Sequence, residues 1–116
     1  MRNFFKSFSY AWNGIYLGIR SERNFKFHLF AAGAVILAGI RTGLTMMEWF
    51  IVSVLIGGML ALELMNTAIE KVVDLVTEEY HQLAKQAKDL AAGAVLIYAI
   101  ISAIIGLLLF GSKWLY

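Results

Sequence analysis

Residues 46–77 read MMEWFIVSVLIGGMLALELMNTAIEKVVDLVT, and the way this stretch divides decides the fold. From Met46 to about Leu64 it is apolar apart from Glu48, Ser53 and Glu63. At about 1.5 Å of rise per residue, that is enough helix to cross roughly 30 Å of hydrocarbon. The apolar pattern does not stop there. Leu64, Met65, Ala68, Ile69, Val72, Val73 and Val76 keep a helical period, while polar residues fill the other side to about Thr77. A spanning helix that projects several turns beyond the membrane is therefore expected. Thr45 and Glu48 mark its start as an S/T-x-x-E capping box, which assigns Glu48 to a backbone N–H rather than to chemistry. Trp49 follows as an interfacial anchor.

Upstream, Arg41-Thr42-Gly43 forms a turn, and Phe25 to Ile40 is almost wholly apolar, with Lys26 and His28 near its start. Sixteen residues of helix reach only about 24 Å, so local thinning or a snorkelling Arg41 must close the gap. Ser21-Glu22-Arg23-Asn24 breaks the pattern. Before it, residues 3–20 set Phe4, Phe8, Trp12, Ile15 and Ile19 at helical spacing, with Lys6, Asn13 and Arg20 elsewhere on the wheel. That is an amphipathic helix lying in the membrane interface. Downstream, Glu78 to Lys88 reads as a polar connection and Leu90 to Phe110 as a third full span, closed by Lys113, Trp114 and Tyr116. The expectation is an all-α integral membrane protein, three transmembrane helices plus an N-terminal amphipathic surface helix, forming one domain over residues 1–116.

Composition agrees. Of 116 residues, 60% are hydrophobic, and the mean hydropathy is +0.72, against roughly 45–50% apolar residues in soluble domains. A chain this short cannot bury so much apolar surface within itself, and the missing solvent is lipid. The net charge of +2 comes from scattered Lys and Arg, not a basic stripe, which argues against nucleic acid as a partner. The absence of cysteine excludes disulfides and thiolate metal sites. Lys6 and Asn13 interrupt any apolar signal-peptide core, so the chain is read as mature from Met1. Arg2, Lys6, Arg20, Arg23, Lys26, Lys71, Lys85 and Lys88 lie on one side of the expected membrane, and only Arg41 and Lys113 on the other. By the positive-inside rule, the N-terminus and the 65–89 region face the cytoplasm.

At about 100° per residue, Glu63, Asn66, Glu70 and Asp74 share an arc of roughly 80° on one helix face. Like charges stacked where a helix leaves lipid call for a cation. Oxygen donors without cysteine favour a hard ion such as Mg²⁺, which prefers one or two carboxylates plus substrate phosphates to an all-protein cage. Glu22 lies on the same side of the membrane and can complete the site. Lys88 and Asp89, at the expected start of the third span, offer a cation for phosphate and a carboxylate at a helix N-terminus. The plain alternatives are a solvated helix face for the stripe, capping residues for Lys88 and Asp89, and interfacial hydrogen bonding for His28 and His81. No P-loop and no protein-kinase motif is present.

The run Glu63-Leu64-Met65-Asn66-Thr67-Ala68-Ile69-Glu70-Lys71-Val72-Val73-Asp74 resembles the signature ExxN[ST]AxExxxD of the prokaryotic diacylglycerol kinase family. Glu22 to His28, Gly57-Gly58-Met59 and Ala84 to Asp89 resemble its Gram-positive, undecaprenol kinase branch. The resemblance implies a homotrimer in the bacterial cell membrane that uses MgATP to phosphorylate a lipid hydroxyl. It implies Glu63 as general base and Asn66 beside it in the active centre. Glu22 and Glu70 are implied as the Mg²⁺ carboxylates, which also contact the nucleotide. Tyr10, Asp74, Glu79, His81, Lys88 and Asp89 are implied around ATP. The basic residue that the family places before its surface helix falls near Asn3, with Arg2 and Lys6 as substitutes.

Both undecaprenol and diacylglycerol present a hydroxyl at the interface, so carboxylates do not choose between them. A small cation channel that gathers the stripe into an acidic ring, or a non-catalytic assembly subunit, are the readings from other classes.

Overall fold

The computed structural model describes residues 2–115, the side chain of Arg2 excepted. The readings that fall on Met1, the Arg2 side chain and Tyr116 lie outside the described residues. Four helices follow in order: α1 (Arg2–Ser21), α2 (Arg23–Thr42), α3 (Met46–Val76) and α4 (Gln82–Leu115). The last three are each long and apolar enough to cross a membrane, as expected of an all-α integral membrane protein.

The break between α1 and α2 narrows to one residue. Glu22 has extended backbone angles (φ −107°, ψ 115°), with helix on both sides. Ser21 ends α1 by donating its hydroxyl to the Leu17 carbonyl at 2.6 Å, and Arg23 opens α2 directly. α2 is thus twenty residues long, about 30 Å, and matches the hydrocarbon thickness that the sixteen apolar residues fell short of. Gly43 closes it with φ +78°, a left-handed conformation that suits glycine, and its N–H donates to the Gly39 carbonyl.

α3 begins as the sequence predicts. The Thr45 hydroxyl accepts from the Glu48 N–H and the Glu48 carboxylate accepts from the Thr45 N–H, at 3.2 and 2.8 Å. The helix runs 31 residues to Val76, about 46 Å, well beyond a bilayer core. The connection that follows is shorter than the sequence suggests. It covers Thr77–His81, and α4 starts at Gln82 rather than at Leu90. Residues 82–89 are polar but contain neither Gly nor Pro. Leu, Ala, Lys and Gln are good helix formers, and Lys85 pairs with Asp89 one turn on, at 2.5 Å. Polarity there marks helix outside the membrane, not loop, and it moves Lys88 and Asp89 from the helix N-terminus to its second turn.

α3 and α4 form the central hairpin. Gly58 lets them approach: a Cβ there would lie 2.0 Å from the Tyr98 oxygen. Tyr98 in turn donates its hydroxyl to the Val54 carbonyl at 2.6 Å. α1 crosses the outer part of α3, with Gly18 against Leu64, where a Cβ would stand 2.6 Å from its side chain. The interior of the single chain is thin, and the described buried residues include only three hydrophobic core side chains, Phe25, Val52 and Met59. Large apolar side chains elsewhere face outward along the whole length of α2, α3 and α4, as lipid or further copies of the chain require.

Candidate active site

Glu63 is the one buried charged residue among those described, 5% exposed. It lies 17 residues from the start of α3, about 26 Å along the axis and near the far edge of a bilayer core. Its Oε1 stands 3.1 Å from His28 Nε2, across the α2–α3 contact. An ionised carboxylate only accepts, so the imidazole is the donor. His28 thus holds the interfacial hydrogen bond expected of it, but the identity of its partner is not visible in the sequence.

Asn66 follows one turn later on the same face. Its Oδ1 is buried and has no hydrogen-bond partner in the chain, an arrangement that native proteins keep rare. Glu70 and Asp74 continue the stripe outward. The Asp74 carboxylate accepts from Lys88 Nζ at 2.6 Å, which fastens the projecting end of α3 to the second turn of α4. That hydrogen bond holds the Lys88 ammonium above the usual lysine range, and the negative charges of Asp74 and Glu70 add to the effect. Lys88 is a cation at neutral pH, paired with Asp74 outside the apolar span.

Glu22 joins from the α1–α2 hinge, where the extended backbone turns its side chain toward α3. Its Oε1 lies 3.9 Å from Lys71 Nζ, and the carboxylate is 29% exposed. A contact this long leaves the carboxylate open to other partners. Lys71 was read in the sequence only as a positive-inside charge, and its place beside Glu22 is a further contact that sequence reasoning missed.

These contacts are three separate pairs, Glu63–His28, Asp74–Lys88 and Glu22–Lys71, and the remaining candidates lie apart from them within one chain. Tyr10 is exposed on α1. Glu79 sits in the α3–α4 turn, where its N–H donates to the Thr77 hydroxyl. His81 precedes α4 and accepts the Leu83 N–H at Nδ1, an N-terminal capping role. Asp89 is paired with Lys85.

The donor set suits Mg²⁺. Glu22 and Glu70 offer carboxylate oxygens, and Asn66 Oδ1 is a buried oxygen without a partner. No three described acidic or histidine side chains converge into a closed cage, and Mg²⁺ is commonly held by one or two carboxylates completed by phosphates.

Beside the Glu63–His28 pair, Phe27, Ala31, Met59, Leu60 and Ala99 help to line an apolar cleft of about 350 Å³ between α2, α3 and α4. At the opposite end of the bundle Glu48 accepts from Lys113 at 2.7 Å as well as from the Thr45 backbone. The two acidic residues of the α3 span therefore stand at opposite ends.

Fold and site define a small polytopic membrane protein with a carboxylate centre where its second spanning helix leaves the bilayer. The model of the prokaryotic diacylglycerol kinase family matches residues 9–110, and the chain belongs to that family. It is 56% identical to the undecaprenol kinase of Bacillus subtilis, over 97% of this chain and 92% of that protein. It is 45% identical to the diacylglycerol kinase of Synechocystis, over 90% of this chain and 60% of that one. With the diacylglycerol kinase of Escherichia coli K12 the identity is 32%, over 94% and 89%.

Proposed function

We propose that this chain is a lipid kinase of the bacterial cell membrane that transfers the γ-phosphate of ATP to a lipid hydroxyl. Undecaprenol is the favoured acceptor, and diacylglycerol the second. Membership of the family and 56% identity across nearly the whole of a protein named undecaprenol kinase support this order. The observation that supports the reading is a buried carboxylate, Glu63, hydrogen-bonded to His28, which lines an apolar cleft between the spanning helices.

In this mechanism Glu63 takes the proton of the lipid hydroxyl as its oxygen attacks the γ-phosphorus. The bond between the γ-phosphorus and the bridging oxygen breaks, and the electron pair leaves with ADP. Such transfers demand positioning and charge neutralisation more than covalent chemistry. Lys88, steadied by Asp74, meets the phosphate oxygens as a fixed cation. Asn66 orients the reacting groups from one turn beyond the base. Glu22 and Glu70 are the carboxylates that would hold Mg²⁺, which supplies neutralisation of the phosphate charge when bound. Tyr10, Glu79, His81 and Asp89 belong to the nucleotide surroundings, which a homotrimer would bring together across subunits. The outward apolar faces of α2 to α4 are compatible with such an assembly. The surplus of Lys and Arg at the Glu63 end supports a cytoplasmic site, where ATP is found.

The test is phosphate transfer by the purified protein in detergent micelles with labelled ATP. We expect undecaprenol and diacylglycerol both to be labelled, undecaprenol faster, and all labelling to stop when Mg²⁺ is chelated. Failure to label any lipid alcohol under these conditions would remove the kinase reading. Faster labelling of diacylglycerol would reverse the order of acceptors.

A further inference from the structure

We infer that His28 is a positioning residue for Glu63: its Nε2–H fixes one carboxylate oxygen and thereby aims the other at the lipid hydroxyl. The inference rests on Glu63 being the base and goes beyond that assignment. Three observations carry it. The Nε2 to Oε1 distance is 3.1 Å, with the two side chains 20% and 7% exposed, so the bond is largely shielded from water. The partners lie on different helices, 35 residues apart, so the contact depends on the α2–α3 packing and not on local geometry. The side chains that line the adjoining cleft from α2, α3 and α4 include no ionisable group besides His28, and among the described residues His28 is the one hydrogen-bond partner of the Glu63 carboxylate.

The chemical consequence follows from counting lone pairs. A glutamate side chain in the last turns of a span has three rotatable bonds and, unrestrained, samples many orientations. A base must hold its accepting oxygen within about 2.6–3.2 Å of the proton it takes. With Oε1 committed to His28, the free oxygen is Oε2, and the chi angles of Glu63 are confined. No proton needs to leave the imidazole in this role. The proton that Glu63 takes from the alcohol resides on Oε2, while the bond from His28 to Oε1 is kept. Phe27, edge-on to the imidazole with ring centroids 5.6 Å apart, helps to fix the ring itself.

The experiment uses His28→Leu, His28→Gln and His28→Asn in the full-length protein, each alone and in a Glu63→Gln background. Gln carries an N–H near the place of the imidazole Nε2, whereas the Asn amide ends at the level of Nδ1 and falls short of Glu63. We expect kcat to drop about ten- to a hundredfold in His28→Leu and His28→Asn, with KM for ATP and for lipid within about twofold of the parent. His28→Gln restores kcat to within about threefold. In the Glu63→Gln background none of the three lowers the residual rate further, because the residue that His28 positions is already gone. The proposal is overturned if Gln and Asn give equal kcat, if the loss appears in KM, or if the His28 and Glu63 effects multiply. Should His28→Leu fail to fold, the contrast between Gln and Asn alone decides. High turnover in Glu63→Gln itself would instead remove the base assignment, a separate failure.

Discussion

The two ends of the helical bundle are built on opposite principles. At the end that holds Gly43, Glu48, Lys113, Thr42 and Trp114 find polar partners within the chain. Glu48 serves both the Thr45 capping box and Lys113, and the Trp114 indole donates to the Thr42 hydroxyl at 2.8 Å. At the other end, Glu63 is buried with a single histidine as partner. The Asn66 oxygen has no partner, and Glu22 meets Lys71 only at 3.9 Å. Polar groups near lipid are costly unless paired. Incompletely paired carboxylate and amide groups at one end suit a site that meets further groups, whereas the Glu48 carboxylate at the other, closed end is tied up within the chain. The difference yields an ordered set of expectations: substitutions at the open end should cost turnover, and those at the closed end only stability.

The largest effect is expected from Glu63→Gln. The amide keeps the shape and a contact with His28 but cannot take a proton, so kcat falls by about 10²–10⁴-fold while helical content and oligomeric state stay at parent levels. Circular dichroism and size-exclusion in detergent, run beside the kinase assay, separate the two. A variant that unfolds instead would mean that Glu63 is primarily structural, and the contrast between the ends would lose its basis.

Lys88→Met comes next. It removes the cation and leaves Asp74 without its partner, so we expect kcat/KM for ATP to fall on the order of ten- to a hundredfold. Asp74→Asn, which loosens Lys88 without removing it, should fall only severalfold. If Asp74→Asn proves as damaging as Lys88→Met, Asp74 acts on the nucleotide directly rather than through Lys88.

How much of this was readable from residues alone follows from the range of each interaction. The Thr45–Glu48 box spans three positions and was legible, as were the helical periods of α1 and the outer part of α3, the apolar runs of the three spans and the acidic stripe on α3. The pairing of His28 with Glu63 and of Lys88 with Asp74 was not, because it depends on how α2 and α4 lie against α3 over separations of 35 and 14 residues. Residues 82–89 misled for a different reason. Their polarity excludes them from the hydrocarbon, but it does not distinguish loop from projecting helix, and only propensity argued for the latter. Gly58 entered the sequence reading through the Gly57-Gly58-Met59 resemblance, and the structure shows what packs against it, Tyr98.

That contact gives a prediction between the two ends. Gly58→Ala would drive a methyl group into the Tyr98 ring, with the nearest approach at 2.0 Å before relaxation, and overpacking of this kind costs about 1–3 kcal/mol. We expect reduced resistance to unfolding by SDS, with kcat per folded molecule close to the parent. Tyr98→Phe, which removes only the 2.6 Å hydrogen bond to Val54, should cost less, about 0.6 kcal/mol as is typical inside membranes.

The smallest effect belongs to the closed end. Lys113→Met deletes the ion pair with Glu48, whose partners are about one-quarter and one-fifth exposed. The same Glu48 oxygen still accepts from the Thr45 N–H, so the capping box survives and α3 keeps its start. Glu48→Gln is the complementary change, since an amide oxygen preserves the box while the charge is lost. Each should lower the unfolding midpoint by no more than a few degrees. The double variant should do no worse than either alone, because both remove the same pair. Neither should change kcat by more than about twofold, since the pair stands at the end of α3 farthest from Glu63. A larger loss of turnover would show that strain at the closed end reaches the open one along α3, and the two ends would have to be treated as coupled.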